Sequence, residues 1–113
     1  MTDILLVCGK NGRFKSCRAC GHASFAKKGT DIVCAAETIV LRTSVELLSQ
    51  TEGVVLSLND SVRGFLEFRV EEFRFSARAE ERLKCIGDFI RLSLQGLSAE
   101  YPENVHFQEI SEE

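Results

Sequence analysis

Apolar and polar positions along this chain change period several times, and each change marks an element. Ile4-Leu5-Leu6-Val7-Cys8 is a short apolar run without clean alternation, the pattern of a strand inside a sheet. Gly9-Lys10-Asn11-Gly12 then signals a turn, because Gly and Asn tolerate positive φ. Arg13 to Cys20 reads as the return strand, with Phe14, Ser16, Arg18 and Cys20 on one face and Lys15, Cys17, Ala19 and Gly21 on the other. Residues 22–30 are too polar for a core and form a loop. From Asp31 the period becomes helical: Val33, Ala36, Val40, Thr43 and Leu47 recur at three- and four-residue steps, and Ile32, Ile39 and Leu48 widen the stripe. That predicts a helix of about five turns ending before Thr51-Glu52-Gly53, apolar over enough of its girth to be covered on more than one side.

The second half repeats the scheme. Val54 to Leu58 reads as a strand, Asn59-Asp60-Ser61 as a turn, and Val62 to Val70 as the paired strand, with Leu66, Phe68 and Val70 on one face. Gly64 marks either a bulge or the start of that strand. Ser76 is a candidate cap for a second helix whose stripe is Ala79, Leu83, Ile86, Ile90, Leu94 and Leu97. Cys85, Phe89 and Leu92 lie off the stripe, more apolar surface than one sheet face needs. After Pro102, Val105 to Ile110 is a last short strand, where His106 reads as an edge or surface histidine. The expected fold is α+β, a two-layer α/β sandwich: a mixed or antiparallel five-stranded sheet and two helices, in the order β-β-α-β-β-α-β. Its 113 residues suit one domain, 1–113.

Composition narrows the classes. A hydrophobic content of 44% with 27% charged residues argues a folded chain, not a disordered one. The N-terminal apolar run is too short for a signal sequence or membrane span, so the expected address is the cytoplasm, with no membrane partner. Five cysteines, an odd number without a secretion signal, read as reduced thiols. Residues 1–50 carry seven Lys or Arg against four Asp or Glu, and the remainder seven against thirteen. Most such charge is a solvated face, and no nucleic-acid motif accompanies it, so direct nucleic-acid binding is not expected.

The chemistry concentrates in GHASFAKKGTDIVCAA, residues 21–36. With Asp31 as N-cap, Cys34 is the third residue of the first helix, where unpaired N–H groups and the helix dipole favour a negative charge. Capping by Thr30 instead shifts Cys34 by one position and weakens the effect. Asp31 and Glu37, one turn beyond Cys34, oppose it by their sign. His22, twelve residues earlier at the end of a predicted strand, can return to the helix start across the loop and pair with the thiol. Ala35 and Ala36 leave the sulfur approachable. The residues alone leave other readings open. Cys34 also fits a buried small hydrophobe and His22 a loop-holding residue. Cys17, Cys20, His22 and Cys34 could together hold zinc, although the thiols of a Cys-x-x-Cys on a strand point to opposite faces.

This stretch closely resembles the signature of the ribosomal-processing cysteine proteases, the Prp family of small bacterial proteins. Gly21-His22-Ala23 and Asp31-Ile32-Val33-Cys34-Ala35-Ala36 match two separate blocks at the family's interval, and the length and element order also fit. The resemblance implies a homodimer with paired helices that removes an N-terminal extension from a large-subunit ribosomal protein and needs no cofactor or metal. It implies Cys34 as nucleophile and His22 as general base and acid, with Gly21, Asp31 and Ala35 in supporting or capping roles. On this reading Phe25, Lys27, Lys28 and Gly29 belong to a loop that folds over the peptide. Helix-start N–H groups, that of Cys34 included, are candidate oxyanion donors. Family members often carry serine where this chain has Thr38, which keeps the hydroxyl. Glu37 is the unusual local feature, with a charge able to tune the thiol or the accepted substrate. The competing reading is a non-catalytic, ribosome-associated peptide-binding or assembly module of the same fold.

Overall fold

The computed structural model describes residues 1–27 and 29–112. Its strands are β1 (Thr2–Cys8), β2 (Phe14–Gly21), β3 (Val54–Asn59), β4 (Phe65–Phe73) and β5 (Val105–Ser111). Its helices are α1 (Ile32–Ser49), between β2 and β3, and α2 (Ala77–Glu100), between β4 and β5. The strands form one sheet in the order β3-β4-β2-β1-β5. β1 pairs with β5 in parallel and every other pairing is antiparallel, so the sheet is mixed and β1 is internal, as its apolar run predicts. The β1–β2 turn holds Asn11 at φ 63° and Gly12 at φ 77°, the conformations for which such residues are suited.

Both helices pack on one face of the sheet. Thr2, Ile4, Leu6 and Cys8 of β1 alternate onto that face, and all but Thr2 join Phe14, Cys17, Phe68 and Val105 in a single core with Val33, Leu41 and Leu48 of α1 and Leu83, Ile90 and Leu94 of α2. Phe14 and Phe68 stack at 5.4 Å. Arg91 of α2 ties the helix to the edge strand β5 through two 2.7 Å bonds to Glu109. No helix among the described residues is long and apolar enough to cross a membrane.

Three expectations change. In β2, Phe14 shares the core face with Cys17 and Ala19, because the pairing register shifts between Val7 and Cys8 and leaves Lys15 without an opposite residue. An extra residue reverses the alternation on one side of it. The second hairpin strand starts at Phe65, not Val62. Gly64, at φ 79°, belongs to the turn before it, where Phe65 N–H donates to Val62 O. On α1 the buried stripe is Val33, Glu37, Leu41, Ser44 and Leu48. Ala36 and Val40 are only half-buried, while Ile39 stays 65% exposed. Hydropathy missed this face because two of its five members are polar. The α2 stripe forms as read, with Leu97 half-buried at its end, and Ser76 caps the helix by accepting from Ala79 N–H at 3.0 Å.

Candidate active site

Asp31 builds the site. It is the N-cap of α1, and its Oδ1 accepts from Cys34 N–H at 2.9 Å, which makes Cys34 the third residue of the helix. Its Oδ2 accepts from the N–H groups of Phe25 (2.9 Å) and Ala26 (3.2 Å). One carboxylate therefore fastens the preceding loop to the turn that carries the thiol. These bonds, that of Cys34 first, hold Asp31 below the ordinary carboxylate range. The arrangement also corrects the expected oxyanion site: Cys34 N–H is committed to the Asp31 side chain and Ala35 N–H to the Asp31 carbonyl.

His22 follows Gly21, the last residue of β2, whose φ of 98° turns the chain out of the sheet. A side chain at Gly21 would meet the Met1 carbonyl at 2.5 Å, so the position excludes anything larger. Gly21 N–H donates to Gly64 O at 2.8 Å, which draws the β4 turn beside the histidine. The ring lies so close to Gly64 that a Cβ there would stand 2.9 Å from His22 Nε2. The loop is fastened at its near end too. Ala23 is buried, its carbonyl accepts from Asn104 Nδ2 at 2.9 Å, and Phe25 meets Tyr101 edge-on at 5.3 Å.

A groove of about 840 Å³ runs between these parts, and both His22 and Cys34 line it. Gly21, Gly29, Asp31 and Ala35 line it as well; Phe25 and Lys27 are exposed outside its lining, and Lys28 lies outside the described residues. Thr38, also on the wall, donates its hydroxyl to Cys34 O at 2.8 Å. Cys17 and Cys20 sit three apart on the extended β2, with Cys17 in the core, so their thiols take opposite faces. Groups of three or more metal-binding side chains do not occur among the described residues.

Sequence reading missed Thr2, Arg63, Phe65 and Leu66, which complete the groove from β1, the turn before β4 and the start of β4 itself. Only Gly64 gave a local signal. Glu37, noted for its charge, is buried: Oε2 accepts from Thr2 Oγ1 at 3.0 Å, and Oε1 has no hydrogen-bond partner among the described residues. Burial first, then the nearby Asp31 charge, push its carboxyl up to about 7 against the opposing Thr2 hydrogen bond.

The family model described as Cysteine protease Prp matches residues 1–106. Among solved structures, an essential ribosomal processing protease Prp from S. aureus, in complex with a covalently linked product peptide, is 25% identical; the match covers 97% of this chain and 100% of that one, with a TM-score of 0.78. The S. aureus protease with a substrate peptide aligns at 23% identity over 97% and 100% of the two chains, TM-score 0.74. SMU.848 from Streptococcus mutans aligns at 23% over 99% and 96%, TM-score 0.76. No curated protein sequence matches the chain.

Proposed function

The chain belongs to the Prp family of cysteine proteases, and from that premise we propose that Cys34 is its nucleophile and His22 its proton carrier. The observation that carries this reading is that one groove is lined by both side chains, with Cys34 fixed in the first turn of α1 by the Asp31 cap. The Cys34 thiolate attacks the scissile carbonyl, and His22 gives its proton to the departing amine, leaving a thioester. His22 then takes a proton from water, whose oxygen displaces the sulfur from the thioester and restores the Cys34 thiolate beside a protonated His22. Asp31 positions both partners' surroundings by joining loop to helix.

The substrate we propose is a large-subunit ribosomal protein from which the enzyme removes an N-terminal extension. The peptide-bound S. aureus relatives, described as ribosomal processing proteases, support a peptide in this groove. We also assign the enzyme to the cytoplasm, in keeping with five free cysteines. We further propose that two copies pair through their helices, a reading that the exposed Phe89 and Leu92 of α2 support.

The test is cleavage. The purified chain is incubated with large-subunit ribosomal proteins that carry their extensions, and products are weighed by mass spectrometry. Shortened product with the wild type and none with Cys34→Ala is expected. A thiol alkylator should label Cys34 ahead of the other four cysteines, and His22→Ala should slow it. Product from Cys34→Ala would overturn the assignment. Binding without any Cys34-dependent product would favour the assembly module.

A further inference from the structure

One carboxyl in the groove has no task in that chemistry. Glu37 stands one turn after Cys34 on α1 and is only 5% exposed. Helical side chains lean toward the helix N-terminus, so this one leans back toward the turn that bears the thiol. Thr2, reaching across from β1, occupies Oε2, while Oε1 is closed to solvent and has no hydrogen-bond partner among the described residues. Buried oxygens are almost always paired. The side chain lines the groove together with Cys34, His22 and Thr2, so a substrate group that pushes aside the atoms covering Oε1 can supply the missing donor.

We propose that Glu37 is a specificity-determining residue whose Oε1 accepts a hydrogen bond from a neutral donor, a hydroxyl or primary amide, at the tip of a substrate side chain seated beside Cys34. Ala19, Leu41 and Leu66 line the same groove and suit the apolar body of such a side chain. A cationic tip fits less well. Arg42 and Arg63 already line the groove with positive charge, and an ammonium would have to shed its water to reach a carboxyl buried this deeply.

This inference rests on the peptide-hydrolase reading, and its test separates the two. The probes are peptides spanning the ribosomal extension and the first residues beyond it. Each position flanking the cut carries in turn one member of a near-isosteric pair, Tyr against Phe or Asn against Leu. kcat/KM is measured with the wild type, and affinity by calorimetry with Cys34→Ala, which reports binding whether or not cleavage occurs. At one position the donor-bearing peptide should be favoured about ten- to a hundredfold in both measurements. Glu37→Ala should erase that preference, and Glu37→Gln, which keeps an accepting oxygen, should retain part of it. Binding without donor preference, in the absence of cleavage, overturns this inference and favours the assembly module; cleavage without donor preference at any position overturns this inference and leaves the protease assignment intact. So does a preference that survives Glu37→Ala, or one for Lys over both neutral donors. Peptides that are neither bound nor cut overturn the substrate assignment, and this inference with it.

Discussion

The two helices lie side by side on one sheet face, yet their buried stripes differ in kind. That of α2 is Ala79, Leu83, Ile86, Gly87, Ile90 and Leu94, with no polar side chain. That of α1 interrupts Val33, Leu41 and Leu48 with Glu37 and Ser44, and Cys34 opens the same helix at the groove. Burial of apolar side chains is the main favourable contribution a helix makes to a fold like this one, so α2 supplies more of the stability. α1 gives up part of that contribution to two buried polar groups, of which Glu37 lines the groove. Stability and chemistry are divided between two helices of one layer.

Substitutions on either helix test that division. The largest effect belongs to Cys34→Ala: kcat/KM falls by about a thousandfold or more, as for removal of a covalent nucleophile, while the melting temperature stays near that of the wild type. Ile90→Ala does the reverse. It opens a cavity under a side chain with no exposed surface and costs about 2–5 kcal/mol in a denaturant titration. Activity per folded molecule should not change. A fall in kcat with Ile90→Ala under conditions where the variant remains folded would show that α2 shapes the site and that the division is false.

Glu37 gives the comparison its pH dependence. Its carboxyl lies near 7 in the folded chain, chiefly through burial, and near 4.3 in an unfolded one. Between those values the folded state holds more protons than the unfolded state, so this residue's contribution to stability falls as pH rises through the window. Glu37→Gln removes that slope. The variant should match the wild type at about pH 4 and exceed it by about 3 kcal/mol at about pH 8, measured as the difference between paired urea titrations. Parallel curves for the two proteins would mean that Glu37 is solvated, and its likeness to the rest of the α1 stripe would be lost.

What could be read in advance follows the same line between the helices. The α2 stripe was legible because each buried position is apolar or small, so hydropathy and burial agree. The α1 stripe was not, since Glu37 is buried through a hydrogen bond to Thr2, 35 residues away in sequence. No local pattern announces such a contact. The face of β2 was misread for a related reason: the register shift opposite Lys15 depends on pairing with β1, not on β2 alone. By contrast, the Asp31 cap and the place of Cys34 within it were legible, because capping is settled within four residues. The groove itself was half legible. Its near wall is one continuous motif, and its far wall, Arg63 to Leu66, comes from a hairpin that only the fold brings close.

Ser44 is the control that isolates Glu37. It is as buried as any residue in α1, yet its hydroxyl donates to Val40 O at 2.8 Å, one turn back on its own helix. A serine bonded in this way leaves no group unpaired and slightly weakens the helix that holds it. Removing the hydroxyl discards donor and bond together and orphans no buried partner, because Val40 O still receives its helical N–H. Ser44→Ala should therefore change stability by less than about 1 kcal/mol in either direction, with no pH dependence and no change in substrate preference. If it instead reproduced the Glu37→Gln curve, polarity on the buried face would be the common cause, and the orphaned Oε1 would lose its special standing.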